Sequence, residues 1–159
     1  MRCPFRGNQE GGVRVSQNIL VVYKKNFEDV HDEALDIVKN TLEDISEELD
    51  IKVNYSAREK VSREDFIGRD LVVVLGGDGT LTSIAHSVDE KTPVMGVNSH
   101  PREMDNDGSY GFYMGSDPIN FGEDIQKALS NDAIVNILLR LQAEISTTIG
   151  NKIRSVRAL

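Results

Sequence analysis

The chain has 159 residues, of which 39% are hydrophobic. This is long enough for one domain with a buried core and too apolar for wholesale disorder. The formal net charge of −8 argues against broad nucleic-acid binding, and no apolar run approaches the roughly 20 residues that span a bilayer, so neither a nucleic acid nor a membrane is expected as a partner.

Residues 1–16 are mixed in composition and aperiodic, and we expect them to form a flexible tail. They lack the apolar stretch of a secretory signal. The single cysteine, Cys3, lies in this segment, which excludes an intramolecular disulfide and fits a reducing, cytoplasmic location.

Residues 17–132 alternate short apolar runs with helical periodicity, which predicts crossovers between parallel strands. The predicted strands are Asn18 to Tyr23, Ile51 to Tyr55, Asp70 to Leu75 and Pro93 to Val97. The predicted helices are about Glu28 to Leu49, a short turn capped by Ser62 with Asp65, a helix that follows Thr80 and runs to about Val88, and about Pro118 to Leu129. The first helix has a predicted apolar stripe, made of Val30, Ala34, Ile37, Val38, Leu42, Ile45 and Leu49. The expected fold class is therefore α/β, a three-layer Rossmann-like domain with a mainly parallel sheet.

Residues 133–159 have a different texture. Apolar residues alternate with polar ones from Ile137 to Ile145, which is typical of a strand with one wet face. Gly150 and Asn151 form a plausible hairpin turn, and Lys152 to Leu159 is the expected return strand. We expect these residues to be the first strands of a truncated, antiparallel β-rich domain, whose open edge favours a homo-oligomer.

A glycine-rich pentapeptide, Gly76 to Thr80 (GGDGT), follows the most hydrophobic predicted strand and precedes a helix. The pentapeptide therefore lies at the carboxyl end of a strand, and ligands of open α/β sheets bind at the carboxyl ends of the strands. The glycines let a phosphate approach the backbone, and Thr80 can cap the helix. Asp78 could accept a proton from an attacking hydroxyl or hold a metal ion through water. An ordinary Gly-rich turn is the competing interpretation, but the full pentapeptide in this context favours a phosphate site.

The segment LVVVLGGDGTLTSIAHSV, followed by TPVMGVNSHP, resembles the ATP-NAD kinase family, whose members combine GGDGT with a later G-[IV]-N. Here Gly96, Val97 and Asn98 supply that motif, and the ending LLRLQAEI…RAL is similar too. The loop after Asn98 is longer than in common bacterial members and is closer to the mitochondrial-type NAD kinases.

The resemblance implies an enzyme that transfers the γ-phosphoryl group of ATP to the 2′-hydroxyl of NAD, with Mg²⁺ as cofactor. By this resemblance Asp78 is the base. Gly76, Gly77, Gly79 and Thr80 contact phosphates or dinucleotide, and Asn98, with Ser99 beside it, borders the nucleotide pocket. The resemblance also places the groups that hold the acceptor ribose after Leu159. We therefore expect the 159 residues to fold but to have no NAD kinase activity alone.

Other polar residues are interpreted as surface positions. His31 and His86 are expected on solvated helix faces, and His100 on a loop surface. No two histidines have metal-ligand spacing, and no metal-ligating residue is assigned. Asp105 and Asp107 resemble part of a Ca²⁺ loop but lack its flanking features. Arg140 is expected to be solvated or, less so, paired with phosphate. Three aromatic residues could equally stack on an adenine or pack in a core or hinge: Tyr110, Phe112 and Tyr113.

Two other functions remain open on the sequence. Lipid kinases of the diacylglycerol or sphingosine class share GGDGT, although their later Pro-x-Gly-Thr-x-Asn run is Pro93 to Asn98 (PVMGVN) here. A non-catalytic nucleotide-binding module is the third possibility. The sequence leaves open the phosphoryl donor (ATP or polyphosphate), the choice between NAD and NADH, the oligomeric state and the role of loop 99–111.

Overall fold

A computed structural model describes residues 16–25, 29–102, 106–145 and 154–158. The expected tail therefore lies outside the described residues, apart from Ser16. Within the described ranges, no helix is long and apolar enough to cross a membrane.

Four parallel strands form the central sheet, in the order β2-β1-β3-β4. Their bounds are β1 Gln17–Tyr23, β2 Ile51–Ala57, β3 Leu71–Gly76 and β4 Val94–Asn98. Every residue of β3 is buried, because this strand lies inside the sheet and both of its faces are covered. The chain leaves β1 for one neighbour and returns on the other side as β3, so the order of strands reverses between β1 and β3.

Helices cover both faces of this sheet, which gives the predicted three-layer α/β architecture. Helices α1 (Asp29–Glu48) and α3 (Phe121–Leu129) pack on one face, in a core with Ile19, Val73 and Val97. The other face is covered by helix α2 (Asp78–Ile84) and the 3-10 helix Arg63–Phe66. Strand alternation explains this division, since neighbouring residues of β1 and β3 enter opposite cores.

The buried stripe of α1 differs from the predicted one. Ile37 and Leu49 are 44% and 41% exposed, whereas Leu35 is buried and was not expected to be. The buried members whose side chains are described are His31, Ala34, Leu35, Val38, Leu42 and Ile45. These positions repeat at three and four residues, so the stripe is one helical face that begins with a histidine.

Helix α2 ends at Ile84, four residues earlier than predicted, and residues 85–87 form a turn. After this turn the Asp89 carboxylate accepts hydrogen bonds from the backbone N–H groups of Lys91 and Thr92 at 2.8 Å each, which favours a local turn over further helix. Asp117 acts in the same way before α3, where it accepts from the N–H groups of Ile119 and Asn120. Helix α3 therefore begins at Phe121 and not near Pro118.

A separate antiparallel pair is formed by β5 (Leu141–Ile145) and β6 (Arg154–Ala158). The antiparallel pairing agrees with the expected hairpin, although β5 begins four residues later than predicted. The expected turn at Gly150 and Asn151 lies outside the described residues.

Arg140, directly before β5, is held on the α/β core. Its guanidinium donates hydrogen bonds to the carbonyl oxygens of Ala85 and, at 2.7 Å, Val88. These carbonyls follow the end of α2, where a positive charge is favourable. The interpretation of Arg140 as a solvated or phosphate-pairing residue was therefore wrong.

Candidate functional site

The GGDGT pentapeptide is the connection between β3 and α2. Gly76 ends the strand, Gly77 is the N-cap and Asp78 is the first residue of the helix. The backbone N–H of Thr80 donates to the Gly77 carbonyl oxygen at 2.8 Å. Thr80 thus lies within the first helical turn, and the prediction that it caps the helix was wrong.

Thr80 has a packing role beneath the turn. It is 2% exposed, and a Cβ atom built on Gly76 would lie 2.8 Å from the Thr80 Cβ. Real Cβ atoms do not approach other atoms so closely. Glycine at position 76 is therefore required by Thr80, and the close packing leaves the backbone of Gly77 and Gly79 on the outer side of the turn.

Strand β4 brings Asn98 beside this turn. Asn98 pairs in register with Gly76, and the backbone N–H of Ser99 donates to the Gly76 carbonyl oxygen at 3.0 Å. The Asn98 side chain is 6% exposed, and it exchanges hydrogen bonds with Ser109. Its Nδ2 donates to the Ser109 carbonyl oxygen at 3.1 Å, and its Oδ1 accepts from the Ser109 hydroxyl at 2.9 Å. Asn98 therefore fixes the loop that follows β4 at the edge where the turn lies.

The Asp78 carboxylate connects the same loop to α2. Its two oxygens accept hydrogen bonds from the backbone N–H groups of Phe112 at 3.0 Å and Tyr113 at 2.8 Å. Asp78 is half-exposed, so the carboxylate is oriented by these bonds and still reachable from solvent. A carboxylate has about four acceptor positions, which leaves room for a further donor such as a ligand hydroxyl.

The aromatic residues of this loop are on the surface. Tyr110, Phe112 and Tyr113 are 67%, 84% and 41% exposed, so the core-packing alternative does not apply to them. The Arg102 guanidinium lies 4.4 Å from the centre of the Tyr110 ring, and the rings of Tyr110 and Phe112 are 5.8 Å apart. Flat aromatic surface is thus available beside Asp78.

His31 was expected on a solvated face and is instead buried, with 8% of its surface exposed. Its Nδ1 lies 2.7 Å from the Ser99 Oγ, and its ring meets the His100 ring edge-on, with 6.2 Å between centres. The sequence contained a signal for this position, because His31 falls on the buried stripe of α1. The Ser99 hydroxyl is directed at His31, and Ser99 is 4% exposed.

The remaining candidates from the sequence are two further histidines and two aspartates. His86 is exposed, as predicted, and His100 is half-buried. Asp107 is exposed, whereas Asp105 lies outside the described residues. No group of three or more His, Cys, Asp or Glu side chains that could hold a metal ion occurs in the part of the chain that the structure describes.

A cavity of about 330 Å³ lies between the loop that follows β4 and helix α3, and Asn98 is one of its lining residues. Three carboxylates line it, from Asp117, Glu123 and Asp124, against the single ammonium group of Lys127. The hydrogen bond from Lys127 to Glu123 raises the pKa of Lys127 above its usual value. Because this lysine is already paired with carboxylates, the cavity is unsuited to phosphate, and the turn between β3 and α2 is the better anion site.

Two lysines at the end of β1 were not among the site residues predicted from the sequence. Lys24 and Lys25 follow the strand at the same sheet edge, and the Lys24 backbone N–H donates to the Leu75 carbonyl oxygen at 3.1 Å. Lys24 is therefore one strand away from Gly76. The strand order reverses between β1 and β3, which is where open α/β sheets bind ligands.

Known proteins share this sequence pattern. An NAD kinase from Syntrophobacter fumaroxidans is 32% identical over 132 residues, which are 79% of this chain and 43% of that protein. An NAD kinase from Clostridium botulinum is 27% identical over 133 residues, 82% of this chain and again 43% of the relative. An NADH kinase from Arabidopsis thaliana is 50% identical over a stretch of 34 residues, 21% of this chain and 11% of that protein. The chain thus spans less than half the length of these relatives.

Solved structures share the fold. Yeast NADH kinase, crystallised with NADH, superposes with a TM-score of 0.64 at 19% identity, over 90% of this chain and 46% of that one. An NAD kinase from Archaeoglobus fulgidus in complex with ATP gives a TM-score of 0.54 at 20% identity, over 80% and 41% of the two chains. At these identities the likeness shows the α/β fold. The profile of the ATP-NAD kinase N-terminal domain matches residues 20–133, and the chain therefore belongs to the ATP-NAD kinase family.

Proposed function

We propose that this protein transfers the γ-phosphoryl group of ATP to the 2′-hydroxyl of NAD, giving NADP. The observation that carries the proposal is the Asp78 carboxylate at the start of α2, oriented by two backbone N–H groups, in a member of the ATP-NAD kinase family. Two proteins of the same fold support the choice of ligands, since one was crystallised with ATP and the other with NADH.

Asp78 is proposed as the general base. The 2′-oxygen of the ribose attacks the γ-phosphorus, the bond from that phosphorus to the ADP oxygen breaks, and the hydroxyl proton passes to Asp78. The bonds from Phe112 and Tyr113 keep the carboxylate in one orientation. Positioning of this kind accounts for much of the rate enhancement in phosphoryl transfer.

The glycines and buried polar residues have different proposed roles. The backbone of Gly76, Gly77 and Gly79 contacts phosphates or dinucleotide, and the accessible part of this backbone is at Gly77 and Gly79. Thr80, Asn98 and Ser99 border the ligand, and their burial favours an action through the shape of the turn and loop. The exposed rings of Tyr110, Phe112 and Tyr113 offer a surface on which a base could stack.

Magnesium is proposed only as the ion that accompanies ATP. No group of three or more His, Cys, Asp or Glu side chains among the described residues could hold it. Bound to the phosphates, Mg²⁺ would neutralise their charge. Lys24 and Lys25 add positive charge at the same edge of a chain whose net charge is −8.

A cytoplasmic location and assembly into a homo-oligomer are further proposals, which rest on the single cysteine and on the edge of the β5–β6 pair.

The test is an assay, on the chain completed with its β-rich domain, for NADP or NADPH formation from ATP with Mg²⁺ and either NAD or NADH. Formation of either product, lost in Asp78→Asn and kept in Asp44→Asn on the exposed face of α1, supports the proposal. Phosphorylation of diacylglycerol or sphingosine in place of NAD would establish the lipid-kinase alternative, against which the family match argues. Tight binding of ATP and NADH without turnover would establish a non-catalytic module.

A further inference from the structure

The buried face of α1 contains one polar side chain among its described members. Ala34, Leu35, Val38, Leu42 and Ile45 form this face, and His31 continues it toward the start of the helix. An apolar residue would satisfy the packing at position 31. A buried imidazole loses water and is tolerated only where it gains hydrogen bonds, so its presence indicates a specific contact.

That contact is with Ser99, 68 residues away in the sequence. The His31 Nδ1 and the Ser99 Oγ are 2.7 Å apart, and both residues are more than nine-tenths buried. Either group can donate, depending on the tautomer of the ring. The bond joins the first turn of α1 to the residue that follows β4.

From Ser99 the connection continues to the glycine-rich turn. The Ser99 backbone N–H donates to the Gly76 carbonyl oxygen at 3.0 Å, and Gly76 begins the GGDGT sequence. The serine therefore has its side chain bound to α1 and its backbone bound to the turn. If the bond between His31 and Ser99 were lost, Ser99 could move, and its backbone hydrogen bond would transmit that movement to the Gly76 peptide.

We propose that His31 is a positioning residue, which holds Ser99 and, through it, the Gly76 end of the nucleotide-binding turn. This inference rests on the proposed function in so far as the turn holds a nucleotide. His31 does not contact the reacting atoms in this role. It fixes the relative positions of α1, the residue that follows β4 and the last residue of β3.

Hydrogen exchange of the 159-residue chain tests the structural part without any ligand. His31→Leu and Ser99→Ala should speed amide exchange at Ser99 and at Thr80 by roughly tenfold, the effect of about one lost hydrogen bond. His31→Asn should restore slow exchange, because an Asn amide reaches the same place as Nδ1. Amides of β2 should not change, and His86→Leu, at an exposed histidine, is the matched control.

Unchanged exchange at both Ser99 and Thr80 in His31→Leu would overturn the proposal. If His31→Leu does not fold, Ser99→Ala is the deciding variant, because it removes only the hydroxyl. Exchange at the wild-type rate in that variant would also overturn the proposal. ATP affinity, measured by calorimetry, is the second readout. His31→Leu should bind ATP roughly three- to tenfold more weakly, and His31→Asn should match the wild type.

Equal ATP affinity of His31→Leu and wild type would also overturn the positioning role. A wild-type chain that binds no ATP would count against the proposed function, and the exchange data would then still decide the role of His31. The two proposals therefore fail by different measurements.

Discussion

The Asp78 Oδ1 accepts a hydrogen bond from the backbone N–H of Tyr113, and the bond is 2.8 Å long. It connects the first residue of α2 to the end of a long loop, and the second oxygen of the carboxylate binds the neighbouring N–H of Phe112 in the same way. The proposed base is thus also the residue that holds the loop in place, and a substitution there affects both roles.

In a chain completed with its β-rich domain, we expect Asp78→Asn to lower the rate of NADP formation by about 10²–10⁴-fold, the usual contribution of a general base. ATP affinity should change far less, since the proposed phosphate contacts come from the backbone of the turn. Steady-state kinetics with ATP as the varied substrate, beside calorimetric binding, separate the two effects. Asp44→Asn is the control, and a turnover equal to the wild type in Asp78→Asn would remove Asp78 from the catalytic role.

Gly76→Ala should destabilise the fold by about 1–3 kcal/mol, the range for overpacking, because the new methyl group meets Thr80. Gly79→Ala is a matched control, since a Cβ there has no atom within 4 Å. It should be neutral or stabilising by up to about 1 kcal/mol. Urea unfolding followed by circular dichroism measures both, and equal midpoints for the two variants would contradict the steric argument.

The parallel sheet and the placement of the GGDGT turn could be predicted, because continuous apolar runs and helical periodicity depend on local sequence. The burial of His31 could not be predicted so directly. It depends on a partner, Ser99, that only the tertiary fold brings near. The same holds for Arg140, whose acceptors are carbonyl oxygens of a helix end far away in sequence. The early end of α2 was missed because the apolar spacing of residues 81–88 does not reveal the turn that residues 85–87 form.

Arg140→Ala should lower the free energy of unfolding by about 1–3 kcal/mol, because hydrogen bonds from a charged donor to the carbonyl oxygens of Ala85 and Val88 are lost. Arg140→Lys should recover part of this, since an ammonium keeps the charge but not the planar set of donors. Thermal unfolding gives the comparison, with the exposed Arg63→Ala as control. A change in Arg63→Ala as large as in Arg140→Ala would show that the loss is not specific to this contact.

The stability near the 3-10 helix should depend on pH through Asp65. The backbone N–H of Ser62, and then its hydroxyl, donate to the Asp65 carboxylate at 2.8 and 3.0 Å and hold the pKa of Asp65 below its usual value. Because the folded-state pKa is the lower one, the stabilisation is complete above the unfolded pKa, about 3.9, and is lost as pH falls through the folded pKa.

Urea midpoints of the wild type and Asp65→Asn, measured from pH 6 down to pH 2, test this sign. The wild type should be the more stable protein at pH 6, and the difference should shrink as the carboxylate is protonated. Ser62→Ala, which keeps the backbone donor, should show a smaller difference of the same sign. A gap between wild type and Asp65→Asn that widens toward low pH would contradict the assignment.

The segment leading into β5 should mediate self-association. Leu139 and Leu141 are 91% and 80% exposed, and Ile134 and Ile137 beside them are 86% and 69% exposed. Several exposed apolar side chains within one short segment favour association. Leu139→Gln combined with Leu141→Gln should therefore shift sedimentation toward the monomer at concentrations where the wild type associates.

Ile67→Gln is the control, because Ile67 is also 73% exposed but lies apart, at the end of the 3-10 helix. If the double variant sediments as the wild type does, or if Ile67→Gln has the same effect, then association does not depend on this segment. The sedimentation must be compared at equal thermal stability, since a partly unfolded variant would expose new apolar surface and associate for another reason.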